Sequence, residues 1–498
     1  MEVKRRTRFA PSPTGFMHIG NLRSALYAWL LSKSKGGDFI LRIEDTDQER
    51  QVEGAVDVIY ATLKACGLDH DEGPDIGGPS APYTQSERLD HYRPYAEKLL
   101  EEGKAYRCFC SRETLQSQRG EDGEENRTYG YNRHCRNLSE EEIRRHLEAG
   151  DPYVIRQKMP LEGSTAFDDA VFGHIEVDNE DLEDQILLKS DGFPTYNFAN
   201  VIDDHEMGIT HVLRGSEYLS STPKYNLLYE ALGWQPPTYV HLPLILGTDG
   251  KKLSKRHGAT SFQDLISEGY LPEAIVNYIA FLGWAPGADT REIFTLEELR
   301  QAFDEKHISK APAVFDYQKL RWYNAQYLHA MSEDDFYGWL KPQSDAIFDG
   351  QPYDARILSE ILHSRLETGG DLPGLLQFFR KAAPYTPELF FNKKQKLTPN
   401  LSAEVLEKVI SALSSLPLWT RESVHDTLME LGPKNGWKTG QVMGPPRLAL
   451  SGLSVTPGGA IELLLILGRE ESMKRLHDAL SFLKTSGAAE ETSSEEKA

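Results

Sequence analysis

Residues 7–44 read TRFAPSPTGFMHIGNLRSALYAWLLSKSKGGDFILRIE, and their order decides the fold. A strand-like run, TRFA, leads into PSPTGFMHIGN, Pro11 to Asn21, where prolines, glycines and a lone histidine, His18, crowd together. Beyond it Leu22, Ala25, Leu26, Trp29 and Leu30 recur with the period of a helix, which Gly36 and Gly37 end. DFILRIE is rich in β-formers and follows that turn. AVDVIYATLKACG, residues 55–67, then repeats the helical period up to Gly67. Strand, helix, strand, helix in this order predicts a doubly wound parallel sheet.

In such a sheet ligands bind beyond the carboxyl ends of the strands, where loops meet helix N-termini. Pro11–Asn21 occupies that place after the first strand. Backbone amides near Gly20 can face a phosphate, and Gly15 and Gly20 let the backbone come close. His18 can donate to a phosphate oxygen as charge builds on it. Alone, the segment reads equally well as a tight turn with a surface histidine. A second segment, LILGTDGKKLSKRHGA at 244–259, shifts the balance. It sets Lys251, Lys252, Ser254, Lys255, Arg256 and His257 after a Gly-rich turn, which reads as a mobile anion clamp rather than a helix.

Parallel-sheet character lapses near residue 85 and returns at DQILLKSDGFPTYNFANVIDD and HVLRG. From residue 261 onward the text is helical throughout. The expected fold is therefore α/β: a Rossmann-type doubly wound parallel sheet with an α+β insertion, followed by an all-helical C-terminal half. The boundaries read 1–84 and 188–258 for the two halves of the sheet domain, with 85–187 as the insertion. Residues 259–328 and 329–485 read as two helical regions, and 486–498 as a disordered acidic tail.

Bulk properties bound the function. The chain has 498 residues and a net charge of −21, which argues against non-specific nucleic-acid binding. Basic clusters nevertheless stand out at KRRTR (4–8), KKLSKRH (251–257), FRK (379–381) and NKKQK (392–396), and these can meet phosphates. The four cysteines show no disulfide framework, and no apolar run is long enough to span a bilayer. MEVKRRTRFAPSP is followed by no apolar signal region, so a cytoplasmic protein without a membrane partner is expected.

PSPTGFMHIGN and KLSKR resemble the HIGH and KMSKS elements of class I aminoacyl-tRNA synthetases. RFAPSPTG, LRIEDTD, PTYNFANVIDDH, THVLRGSEY, VFDYQKLRWYNAQY and PPRLALSG are similar to segments of the bacterial glutamyl-tRNA synthetases, and the likeness covers nearly the whole chain. The resemblance implies activation of L-glutamate by ATP and Mg²⁺ to glutamyl-adenylate, then transfer to the 3′-terminal adenosine of tRNA(Glu). The insertion would bind the acceptor end, 259–328 would contact the stem, and 329–485 would bind the anticodon. The enzyme is expected to act as a monomer, and charging of tRNA(Gln) with glutamate stays open.

By the same resemblance His18, Lys252, Ser254 and Lys255 carry the catalysis, and Pro11, Gly15, Gly20, Asn21 and Glu217 join them around ATP. Arg8, Ala10, Ser12, Glu44, Tyr196, Asn200 and Arg214 form the glutamate pocket. Asn21, Leu253 and Arg256 depart from the idealised motifs. Cys108 and Cys110 form C-x-C, and Cys135 follows after 24 residues. Some members of the family carry Zn²⁺ on C-x-C-x24-C-x-H, but here the final position is Asn137. Tyr131, matching a tyrosine ligand of the related glutamyl-queuosine enzymes, or His134 would then supply the fourth donor. Cys66 ends an apolar helix and reads as packing.

A glutaminyl enzyme is expected to bind the anticodon with β-barrels, and a glutamyl-queuosine enzyme to lack the C-terminal half. A non-catalytic tRNA-binding paralogue is expected to lose His18 or Lys255, and a small-molecule nucleotidylyltransferase has no need of the helical half.

Overall fold

The computed structural model describes residues 4–47, 51–111, 113–115, 131–287 and 289–495; the acidic run EDGEE (121–125) lies outside them. The chain divides into two compact units, Met1–Ile266 with Pro272–Tyr317 and Ser267–Leu271 with Gln318–Ala498.

The first unit opens with strand β1 (Arg6–Phe9), helix α1 (Ile19–Lys33) and strand β2 (Asp38–Leu41). β1 and β2 pair in parallel, Arg6 opposite Asp38 and Phe9 opposite Leu41. The return from α1 to β2 depends on Gly37, where a Cβ would lie 2.1 Å from the Arg5 carbonyl oxygen. α1 is buried on most of its surface, including Leu26, Tyr27 and Leu30, so it is a core helix rather than a one-sided amphipathic one. Tyr27 satisfies its hydroxyl by donating to the carbonyl of Ala280 at 2.9 Å.

A second strand–helix–strand run follows the same order. Strand β8 (His211–Gly215) and strand β9 (Thr238–Leu242) pair in parallel, with helix Thr222–Leu232 between them. Thr210 donates its N–H to the Arg6 carbonyl at 2.9 Å, which brings β1 alongside β8. The sheet is mixed, because the edge beyond β9 is an antiparallel hairpin, β5 (Ser164–Asp169) and β6 (Gly173–Asp178). The parallel-sheet expectation holds for β1–β2 and β8–β9 and gives way at this edge. A hairpin needs only a short turn, whereas a parallel strand needs a crossover.

Strands β3 (Ala105–Cys108), β4 (Val154–Gln157) and β7 (Ile186–Leu188) form a separate antiparallel sheet. Leu99, Leu187, Phe198 and Leu228 share one apolar cluster, which ties this sheet to the helices of the first unit.

The second unit is helical. Helices run over Glu333–Phe348, Ala355–His363, Leu372–Arg380, Pro399–Ser414, Arg421–Asn435 and Thr439–Ser451. Ser332, Asp354, Thr398 and Thr420 cap four of them with side-chain oxygens, and no strand occurs among the described residues after Val314. The final helix, Ala460–Glu495, breaks at Gly468, whose backbone is not helical. It continues to Glu495, so helix replaces the expected disorder over 486–495, and the last residues of that expected tail, 496–498, lie outside the described residues. Ala488, Ala489, Glu490 and Glu491 are strong helix formers, and extending an existing helix avoids the cost of nucleation. No described helix is long and apolar enough to cross a membrane.

Two of the basic clusters have structural employment. Lys4 and Arg6 pair with Asp38, Arg5 with Glu305, Arg6 also with Glu72, and Arg8 with Asp204. KRRTR is thus a set of internal ion pairs and not the phosphate-binding patch its composition indicated. Arg256 lies 3.7 Å and His257 3.0 Å from Asp249, so two of the five basic side chains in KKLSKRH also meet a local carboxylate.

Candidate active site

A cleft of about 500 Å³ opens beyond the carboxyl ends of β1 and β8. One side is the turn that follows β1. Arg8, Ala10, Pro11, Ser12, Gly20 and Asn21 line it, with His18 among them. The turn is pinned twice. Glu44 donates its N–H to the Pro11 carbonyl, while Ile19 N–H meets the Thr260 carbonyl and Phe262 N–H meets that of Met17. His18 and Ser261 form an antiparallel bridge, so the residues just after the basic loop are stitched to the start of α1.

His18 caps α1. Its Nδ1 accepts from the Gly20 N–H at 3.0 Å, which places the ring proton on Nε2. Partial burial, reinforced by the nearby charge of Lys252, lowers its pKa below the ordinary value. His18 is therefore a neutral imidazole that presents an N–H donor.

The basic segment forms a tight hairpin. Leu253 N–H returns to the Ile245 carbonyl at 3.0 Å, and Gly247 N–H to that of Lys251 at 2.8 Å. Lys252 and Leu253 reach the cleft. Ser254 does not, since its N–H and Oγ face the His257 ring at 3.1 and 3.3 Å. Lys255 begins the short turn Lys255–His257, and its side chain lies outside the described residues. Gly15 is also absent from the cleft wall.

At the other end Glu44, Tyr196, Arg214 and Glu217 line the cleft. A Cβ on Gly215 would lie 2.0 Å from Glu217 Oε2, so only glycine leaves that carboxylate its place. Arg8 and Glu44 belong to a buried charge chain. Arg8 donates from Nε and Nη2 to Asp204, and Arg42 donates to Asp204 at 2.8 Å and to Glu44 Oε1 at 2.9 Å. Burial, the largest single influence on Arg8, opposes its charge, but Asp204, Tyr196 and Glu44 together hold the pKa above the ordinary value. For Glu44 burial dominates and raises the pKa, with Arg42 and Arg8 pulling the other way. Glu44 Oε2 has no hydrogen-bond partner among the described residues.

Arg214 is buried, with its guanidinium carbon 5.2, 4.5 and 5.5 Å from the ring centres of Tyr218, Tyr225 and Tyr239. Its Nε and Nη2 donate to His241 Nε2 and Thr222 Oγ1, at 3.1 and 2.9 Å. That commits the side edge of the fork and leaves the terminal edge, with both Nη1 N–H groups, open. Asn200 is buried one helical turn after Tyr196 and stands outside the cleft wall, yet its Nδ2 has no partner. Sequence reading missed Arg42, Asp204, Tyr218 and His241. The acid pair in VIDDH was the available signal for Asp204, because two adjacent carboxylates on a helix with buried neighbours need cations.

A second group lies at the end of β3. The sulfurs of Cys108, Cys110 and Cys135 all fall within 4.8 Å of one another, with Cys110 and Cys135 at 3.5 Å. Three thiolates bound to one tetrahedral Zn²⁺ at about 2.3 Å would sit ~3.8 Å apart, so the set fits that ion. Tyr131 Oη accepts from the Cys135 N–H at 3.2 Å, and Arg156 lies 3.9 Å over the Tyr131 ring. A hydrogen bond from Cys135 draws the Cys108 pKa down against its burial, while the same bond raises the Cys135 pKa and burial raises that of Cys110. His134 and Asn137 are exposed and do not join the cluster. Cys66 is buried, and burial raises its pKa to about 12.

Residues 4–322 match the family of tRNA synthetases class I (E and Q), catalytic domain, and residues 316–480 match an anticodon binding domain. The chain is 54% identical to a glutamate–tRNA ligase of Clostridium botulinum strain Hall over 484 residues, 97% of this chain and 99% of that one. It is 53% identical to that of Clostridium tetani over 481 residues, 97% and 98% of the two chains. Among solved structures it is similar to a glutamate tRNA ligase from Elizabethkingia meningosepticum, described as in complex with its amino acid. There the TM-score is 0.86 at 38% identity, covering 96% of this chain and all of that one. With residues 4–322 matched by the catalytic-domain family and relatives matched end to end, the chain belongs to the class I tRNA synthetases of the E and Q type, within the glutamate–tRNA ligase family.

Proposed function

We propose that the protein joins L-glutamate to ATP as glutamyl-adenylate and passes the glutamyl group to the 3′-terminal adenosine of tRNA(Glu). The observation that carries this reading is the polarity of the cleft. A neutral imidazole N–H and Lys252 stand at one end, and an open arginine fork and a free carboxylate oxygen at the other.

Adenylation needs alignment more than proton transfer, because a carboxylate is already nucleophilic. His18 Nε2–H, Lys252 and Lys255 compensate charge growing on the phosphates, and Pro11, Gly20 and Asn21 supply the backbone walls. A bound Mg²⁺ would neutralise charge across the phosphates. Glu217 takes the ribose, and Glu44 Oε2 accepts from the substrate ammonium. The terminal edge of Arg214 grips the side-chain carboxylate through two parallel N–H···O bonds, and a carboxamide offers that fork one mismatched donor. Asn200, buried one helical turn behind Tyr196, backs the pocket without lining it. Ser254 acts by shaping the hairpin.

The segment 85–187 is assigned to the acceptor end, 259–328 to the stem and 329–485 to the anticodon, and Cys108, Cys110, Cys135 and Tyr131 to one structural Zn²⁺. The free thiols fit a reducing cytoplasm. The test is charging of tRNA(Glu) and tRNA(Gln) transcripts with labelled glutamate. Charging of tRNA(Glu) is expected, charging of neither overturns the reading, and charging of both identifies a non-discriminating enzyme.

A further inference from the structure

Behind Arg214 the structure holds a buried chain of polar groups with no exposed member. His241 Nδ1 lies 2.7 Å from Asp169 Oδ2, and both side chains are fully buried. The Asp169 carboxylate receives four N–H donors. Val171 and Phe172 reach Oδ1 at 2.9 and 2.8 Å, and the backbone and ring N–H of His241 reach Oδ2 at 3.1 and 2.7 Å. Four donors require a carboxylate, since an amide in either orientation would turn its NH₂ against two of them. The ionised Asp169 therefore fixes the His241 proton on Nδ1. That leaves a lone pair on Nε2, the atom that receives the Arg214 Nε–H at 3.1 Å. A charged imidazolium would set an N–H against the arginine N–H, and burial, the largest influence on His241, lowers its pKa and keeps it neutral.

Thr222 completes the seat. Its Oγ1 gives its proton to the Tyr218 carbonyl and so accepts from Arg214 Nη2. The guanidinium plane is thus set by two acceptors, His241 Nε2 and Thr222 Oγ1, which themselves lie 3.3 Å apart, and the Tyr218 carbonyl at 2.9 Å is the nearer acceptor for the Thr222 hydroxyl. Tyr225 and Tyr239, anchored through their hydroxyls on Asn197 and Asn226, restrict its tilt.

We propose that Asp169 and His241 are positioning residues that set the plane and reach of the Arg214 fork, and thereby the preference for a side-chain carboxylate over a carboxamide. This rests on the reading of Arg214 given above. Selection by a fork is sensitive to its angle, because two parallel hydrogen bonds form only when both planes coincide. Asp169 lies on β5, the inner strand of the edge hairpin, whereas Arg214 and His241 lie on β8 and β9. The hairpin edge therefore contributes to amino-acid choice without touching the amino acid.

The test compares four proteins, full-length, with saturating tRNA(Glu) and varied glutamate or glutamine. Asn at position 241 keeps a donor for Asp169 and removes the acceptor for Arg214, and Gln supplies an acceptor there. His241→Asn is expected to raise KM for glutamate by ~10-fold or more and leave kcat within ~3-fold, and to narrow the glutamate preference by a similar factor. His241→Gln should restore much of the preference. Arg214→Gln is the reference for complete loss of the fork. If Arg214→Gln alters the preference and His241→Asn does not, the positioning role is overturned while the pocket reading stands. If Arg214→Gln leaves glutamate KM and preference unchanged, both fall. Independently of any variant, ¹⁵N histidine spectra of the wild-type enzyme should show a buried imidazole protonated at Nδ1 and bare at Nε2. The opposite tautomer overturns the proposal.

Discussion

His18 Nδ1 accepts the N–H of Gly20 at 3.0 Å, and the proton of its ring is thereby committed to Nε2. Protonating the ring breaks that bond, because Nδ1 would become a donor facing a donor. Burial and then Lys252 hold the His18 pKa below its ordinary value, near 6.5 in an unfolded chain. As the pH falls the unfolded chain takes up this proton first. His18 therefore contributes stability above about pH 6.5 that is lost as the pH falls toward its folded value. The rate of adenylate formation should be level above neutrality and fall on the acid side, with a limb that His18→Gln removes at a cost of ~10²-fold in rate. Rate profiles from pH 5 to 9 check this, and an acid limb unchanged in the variant would assign it to another group.

Asp204 stands between Arg8 and Arg42, and all three are buried. Asp204→Asn leaves two guanidinium groups facing each other with their shared counter-charge gone. A loss of ~3–5 kcal/mol in unfolding free energy is expected. Denaturant titration measures it, and a loss below ~1 kcal/mol would show that solvent or rearrangement relieves the pair.

Lys255→Ala should slow adenylate formation by ~10²–10³-fold and leave tRNA affinity nearly unchanged, because the charge matters most at the transition state. Single-turnover rates and filter binding separate the two. Equal losses in both would make the hairpin a docking surface.

Purified protein should carry close to one zinc per chain by elemental analysis. Replacing Cys108 and Cys110 with serine should abolish it, and Tyr131→Phe should weaken it by ~10–100-fold. Normal charging by metal-free protein would reduce the cluster to three thiols.

Local features were legible in the sequence, and partnerships were not. The strand, turn and helix around His18 follow from proline, glycine and apolar spacing, and the cysteine spacing marked the cluster that the fold assembles. KRRTR could not be read correctly from its charges, because its partners Asp38, Glu72, Asp204 and Glu305 are dispersed along the chain. His241 sits inside an apolar strand-like run, VHLPLIL, where a lone histidine carries no local signal. Its role emerges only when β5 and β9 become neighbours, with Asp169 opposite Tyr239. Asn200 lay within a quoted motif, but its unpartnered amide is visible only in three dimensions.

The bridge between His18 and Ser261 gives the intervening chain the standing of a closed circuit. Whatever lies between residues 19 and 260 departs from one strand of that stitch and returns to the other. Closing a loop costs only ~0.6 kcal/mol more for each doubling of its length. A lineage can therefore lengthen, trim or exchange the modules carried between α1 and the basic hairpin while the imidazole stays beside the chain that leaves that hairpin, since a backbone pair, not the modules, fixes it.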